Sequence, residues 1–270
     1  MLLSDESLFL FSVRRGLVEN IAEFAQDSFD SISVIVYLRD HRSFLRSLYS
    51  QRVKAGSGST FEAFLGEMLE HPLYFSRLKH WQDLLGNDSV QVVPYQRELL
   101  CERDVVKDFL GRLSLPALEN PWGEMNSSLS DAGCEILRRI NERYAQAGED
   151  RPHFFRRLGE AYFSGNRPDL GAVLYKRYGA GFDEDLNLLV TGLGLSSSCA
   201  DALKLEPPPG NSLERKTAGR VDGVRALDTQ KIADVLIEAY ADSGAKRNEM
   251  SWAEILRLVS RELRRRMRHA

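Results

Sequence analysis

Val34-Ile35-Val36-Tyr37-Leu38 is an apolar, mostly β-branched run that stops abruptly at Arg39-Asp40, and a helical pattern starts directly behind it. Side chains of this kind fit a pleated, buried surface. A near-continuous apolar run points to a parallel sheet covered on both faces. Ser31 to Leu38 is therefore expected to be a buried strand. Phe44, Leu45, Leu48 and Tyr49 recur at helical spacing, and Asp40 is placed to cap that helix by accepting from its first-turn amides. Arg39 then sits where the carboxyl end of a strand hands over to a helix, the edge at which open α/β sheets bind ligands.

The residues at this edge suit a phosphate. Arginine presents a planar fork of donors to phosphate oxygens. A helix start adds amides and the positive end of its dipole. Ser47, about two turns into the helix, can donate a further hydrogen bond. Taken by spacing alone, the same residues also fit a surface Arg39–Asp40 pair beside a solvated helix, with Ser47 an ordinary small residue on the sheet-facing side.

The rest of the chain supplies few strands and many helices. Ser7 to Ala25 is expected to be helical, with Leu8, Phe11, Leu17, Ile21 and Phe24 as its apolar face. Helices near Thr60 to Glu70 and Tyr74 to Leu85 precede a short strand, Val90-Gln91-Val92-Val93, that ends in Pro94-Tyr95. Asp104 to Leu113 is a further helix, with Val105, Val106, Phe109, Leu110 and Leu113 inward. Ser130 caps a helix through Ala147 that carries Ile136, Leu137, Ile140 and Tyr144. Arg151 to Ala161 and Asp183 to Leu189 add two more. This pattern predicts an α/β fold: a small parallel sheet with long helical insertions. Gly56-Ser57-Gly58-Ser59-Thr60 reads as a flexible turn.

The ordered set comprises the strand and helix around Arg39 and Ser47, Phe61 to Leu65, the Trp81 helix with Gly86, and the strand ending at Tyr95. Val105 to Leu113 and Asn126-Ser127-Ser128 complete it. Over roughly Leu2 to Leu189 it resembles the bacterial sulfotransferase-like family of the P-loop sulfotransferase fold. The resemblance implies 3′-phosphoadenosine 5′-phosphosulfate as sulfuryl donor and no metal. Arg39 and Ser47 would hold its 3′-phosphate, Tyr95 would lie against the adenine, and the loop at Asn126 to Ser128 would close over the nucleotide side. Gln96 stands where the family's strand-end motif has glutamate. Tyr95 also fits a half-buried tyrosine closing a strand, and Asn126 to Ser128 a simple capping turn.

Members of that family open with a glycine-rich loop carrying a lysine, which wraps the 5′-phosphosulfate and balances charge on the bridging oxygen as the sulfuryl group leaves. No such segment is found in this sequence. By the resemblance the chain starts at the second strand of the fold, N-terminally truncated through a misplaced start or as a real, shortened relative. Glu6 is the candidate general base, a strand-end carboxylate near the acceptor. Asp5 and Glu6 equally fit the start of the next helix, where they complement its dipole. His41 is the rival base, though its position suits a helix cap or a solvent-facing side chain better.

Composition bounds the partners. The 270 residues carry a formal net charge of −3, which gives no overall pull toward nucleic acid or anionic membrane. Cys101, Cys134 and Cys199 are widely spaced and read as small buried hydrophobes; with five scattered histidines they suggest no metal site. No stretch approaches the ~20 apolar residues of a membrane span, and Asp5 and Glu6 do not suit a signal peptide. A cytoplasmic setting is expected.

Residues 1–195 are expected to form the sulfotransferase-like domain and 196–223 a linker, stiff at Pro207-Pro208-Pro209. Residues 224–270 form a C-terminal helical pair. One helix has Ile232, Val235, Leu236 and Tyr240 on a face, the other Trp252, Ile255, Leu256, Val259 and Leu263. Two such helices cannot close a core alone, so they dock on the main domain, on a second copy of the chain, or on a partner. The arginines from Arg261 to Arg268 offset a helix C-terminal dipole or meet an acidic acceptor. Two functions follow: sulfuryl transfer to a hydroxyl or amine, with a carbohydrate as the family-level acceptor, or a non-catalytic nucleotide-binding or assembly module.

Overall fold

The computed structural model describes residues 16–69, 74–116, 129–152, 155–156, 171–204, 233–234, 236–238 and 240–241. The expectations for Glu6, Asn126 to Ser128, the triple proline and the Trp252 helix lie outside these residues. The chain divides into two compact units. One draws on Met1–Leu45, Leu65–Pro121 and Leu170–Pro209, the other on Arg46–Phe64, Trp122–Asp169 and Gly210–Ala270.

In the first unit, strands β1 (Val34–Leu38) and β2 (Val90–Pro94) pair in parallel, in register from Val34↔Val90 to Leu38↔Pro94. Both expected strands and their parallel sense are present, and the architecture is α/β with more helix than sheet. Val34 to Tyr37 are only partly buried and Leu38 fully so. The run is less enclosed than expected, because β-branched composition reports fit to a pleat rather than coverage of both faces.

Helix α1 (Leu17–Ser28) precedes β1, and α2 (His41–Lys54) follows it. Next come α3 (Phe61–Leu69) and α4 (Tyr74–Leu85), before β2. α1 packs on α4 through Val18 and Ala22, 0% and 2% exposed, whereas Leu17 and Phe24 face outward. Over its described part the expected apolar face of α1 is thus rotated; Leu8 and Phe11 lie outside the described residues. Ala22 admits close approach at the contact, and Glu19 and Gln26 add bonds to His80 (3.1 Å) and to the Leu84 carbonyl (2.8 Å).

Helix α5 (Val105–Arg112) starts at Asp104, whose side chain accepts from the Val106 and Lys107 amides. Val106, expected inward, is exposed, and Asp108 is buried in its stead. Asp108 accepts from the Tyr37 hydroxyl (2.6 Å), Arg112 Nε (2.6 Å) and the Cys101 amide (3.2 Å). Three donors outweigh the cost of burying that carboxylate.

Beyond α6 (Asp131–Gln146), a member of the second unit, α7 (Gly171–Leu193) runs far past the expected Asp183 to Leu189. Its glycines are accommodated within the helix. One of them is needed: a Cβ at Gly192 would lie 2.4 Å from the Phe75 ring, where α4 and α7 pack. Ser196 caps α8 (Ser197–Leu203), so the first part of the expected linker is helical, with Leu203 fully buried. Leu38, Tyr74, Leu78, Leu186, Leu189, Leu195 and Leu203 form this unit's core. Burial of each large apolar side chain contributes roughly 1.5–3 kcal/mol.

The second unit is built on α6, capped by Ser130 as expected, with Gly133 N donating to its hydroxyl at 3.1 Å. Val53, Leu129, Cys134, Ile136, Leu137, Ile140 and Phe155 form its core, together with Ala233 and Leu236. The described part of the first C-terminal helix therefore docks on its own chain. The turn at Ser57 to Thr60 is held firmly rather than flexible. Asn141 donates to the Val53 and Ser57 carbonyls, both at 2.8 Å, and Arg138 to the Gly58 carbonyl at 3.0 Å. Tyr49 donates to the Ser59 carbonyl at 3.0 Å. Among the cysteines only Cys134 is buried; Cys101 is exposed and Cys199 half-buried. No helix among the described residues is long and apolar enough to cross a membrane.

Candidate functional site

The in-register pairing of β1 and β2 delivers Arg39 and Tyr95 side by side, each one residue past the end of its strand. The Tyr95 amide donates to the Leu38 carbonyl, which continues the ladder to that point. The Arg39 guanidinium carbon lies 4.5 Å from the centroid of the Tyr95 ring. A cation in this position is attracted to the electron-rich face of the aromatic ring. Both residues are half-buried.

Behind Arg39, Asp40 caps α2: its Oδ1 accepts from Ser43 N at 2.9 Å, and its carbonyl from Phe44 N. The cap is as expected, but it changes the electrostatics of the edge. Asp40 brings a carboxylate to the helix start and occupies an amide that an anion would otherwise take. Arg42 Nε lies 3.9 Å from that carboxylate. Anion binding here would rest on Arg39 more than on the helix terminus.

Of the residues singled out in the sequence, Arg39 and Tyr95 are brought together. Ser47 is half-buried, in the part of α2 that belongs to the second unit. Glu6 lies outside the described residues. His41 is neither a cap nor solvent-facing: it is 1% exposed, and its Nε2 lies 2.9 Å from Asp185 Oδ2. The imidazole is sandwiched between Tyr74 (centroids 4.4 Å apart) and Phe182 (4.6 Å). Asp185 also accepts from the amides of Tyr74 and Phe75, both at 3.0 Å, and so caps α4 from α7. The Tyr74 hydroxyl donates to the Arg39 carbonyl at 2.9 Å. Burial drives the Tyr74 hydroxyl pKa well above its ordinary value, with the nearby Asp40 and Asp185 adding to the shift.

The resemblance gives Asp185 and Tyr74 no functional role. A different signal was present: Asp185 falls among Phe182, Leu186 and Leu189 on the inward stripe of its helix. An acid at such a position implies a buried partner. Among the described residues, no group of three or more His, Cys, Asp or Glu side chains could hold a metal ion.

Comparison with known proteins is brief. No protein-family model matches the chain, and no solved structure matches it. An Archaeoglobus fulgidus protein described only as uncharacterized is 32% identical over 120 residues, which cover 44% of this chain and 33% of that protein. The chain thus matches about a third of that relative's length.

Proposed function

We propose that this chain binds a 3′-phosphorylated adenine nucleotide at the Arg39–Tyr95 edge and acts as a sulfotransferase-like protein with 3′-phosphoadenosine 5′-phosphosulfate as donor. One observation supports this above the others: a guanidinium lying over an aromatic ring at the carboxyl ends of two paired parallel strands. The two groups suit the two parts of such a ligand. Arg39 offers charge-assisted hydrogen bonds to a phosphate, and Tyr95 offers a ring edge and face to a base. Glu6 would take the acceptor's proton. When bound, the nucleotide supplies a sulfuryl group for in-line transfer to a hydroxyl or amine, with a carbohydrate the acceptor favoured by the family resemblance.

The test is calorimetric titration with 3′-phosphoadenosine 5′-phosphate. Weak but measurable binding is expected, with Arg39→Ala reducing it by roughly 2–3 kcal/mol, as for a hydrogen bond to a charged group. An unchanged titration in that variant refutes the assignment. Binding without transfer to any hydroxyl or amine acceptor would favour the non-catalytic module.

A further inference from the structure

The buried cluster behind Arg39 is more elaborate than packing requires. His41, Tyr74 and Phe182 are each 1% exposed and Asp185 is 7% exposed. Asp185 collects the Tyr74 amide, the Phe75 amide and His41 Nε2. His41 Nδ1 is buried without a hydrogen-bond partner. Such a group carries a desolvation cost, and apolar replacements would avoid it. The cluster reaches the Arg39 peptide through the Tyr74 hydroxyl, which donates to the carbonyl of Arg39.

We propose that Asp185, acting through Tyr74 and His41, is a positioning residue for the anion-binding edge. The cluster grips the chain on either side of the Arg39–Asp40 turn. The Tyr74 hydroxyl holds the Arg39 carbonyl, and the Asp185 carboxylate holds the ring of His41, two residues on. Asp185 also fixes the first turn of α4, and with it the origin of the Tyr74 side chain. A shift of this peptide would swing the Arg39 guanidinium away from the Tyr95 ring. Positioning of this kind acts on affinity because a ligand then meets a fork already in place. The part concerning ligand affinity rests on the nucleotide reading; the positioning of Arg39 does not.

Tyr74→Phe deletes only that hydroxyl and keeps the ring stack, and Asp185→Asn tests the carboxylate behind it. Titration with 3′-phosphoadenosine 5′-phosphate should show about tenfold weaker binding for Tyr74→Phe, as for one lost hydrogen bond, with the melting temperature lowered by only a few degrees. In an Arg39→Ala background Tyr74→Phe should have no further effect. Equal losses in both backgrounds, or full affinity in Tyr74→Phe, would overturn the proposal. If the wild-type chain binds no nucleotide, the functional reading fails, and amide hydrogen exchange decides the positioning. Exchange of the Ser43, Phe44 and Tyr95 amides should accelerate in Tyr74→Phe and in Asp185→Asn; unchanged exchange in both sinks the idea. Should Asp185→Asn fail to fold, Tyr74→Phe alone decides.

Discussion

Arg39 and Tyr95 meet because their strands run parallel and in register, so that two side chains 56 positions apart in sequence lie with the guanidinium carbon 4.5 Å from the ring centroid. The contact reports the register itself, and a slip of one position would turn one partner to the opposite face.

Substitutions at this pair should separate charge from shape. Arg39→Lys keeps the charge but loses the planar fork, and is expected to weaken nucleotide binding by about 1–2 kcal/mol. Tyr95→Phe should bind as wild type, and Tyr95→Ala about 1 kcal/mol more weakly. Calorimetry on the three variants checks the order.

Asp108 ties β1 to α5. Burial alone would raise its carboxyl pKa, but hydrogen bonds from Arg112, Tyr37 and the Cys101 amide outweigh it and hold the group below the usual carboxylate range. A carboxylate lowered in the folded state contributes stability above its unfolded pKa of ~3.9, and that stability is lost as pH falls through the lower, folded value. Asp108→Asn should therefore destabilise the protein at neutral pH and flatten the acid limb of its stability profile. Denaturant titration between pH 7 and pH 2 measures both.

Tyr37 sits on the other side of the same bond. Burial, reinforced by the Asp108 carboxylate, pushes its hydroxyl up to about 12. The sign is opposite to that of Asp108: this contribution is complete below the unfolded tyrosine pKa of ~10 and drains away as pH rises toward 12. Ultraviolet titration should show Tyr37 ionising late, and Tyr37→Phe should remove that late step and cost about 1 kcal/mol at neutral pH.

Gly192→Ala should destabilise by roughly 1–3 kcal/mol, the range for overpacking, because the new methyl would meet the Phe75 ring at 2.4 Å. Phe75→Leu in the same chain should recover part of the loss. Thermal melts of the two variants provide the comparison.

Local pattern carried much of this fold into the sequence. The β-branched runs marked both strands, and Asp40 and Ser130 announced their helices because a short polar side chain before an apolar periodic run has one main use. Long-range polar pairing was not legible. Val106 and Asp108 exchanged the expected faces of α5 because Asp108 answers Tyr37, a residue on a distant strand. His41 was misread for the same reason: its partner Asp185 lies 144 positions away.

The amide at Gln96 occupies the place where the family resemblance leads one to expect glutamate, and its Nε2 donates to the carbonyl of Ala202 in α8. An ionised carboxylate has no proton to give and would set two oxygens against each other. A Gln96→Glu replacement would give up this tie between the strand end and α8 and turn its carboxylate to solvent, leaving α8 held by the Ser196 cap and the buried Leu203.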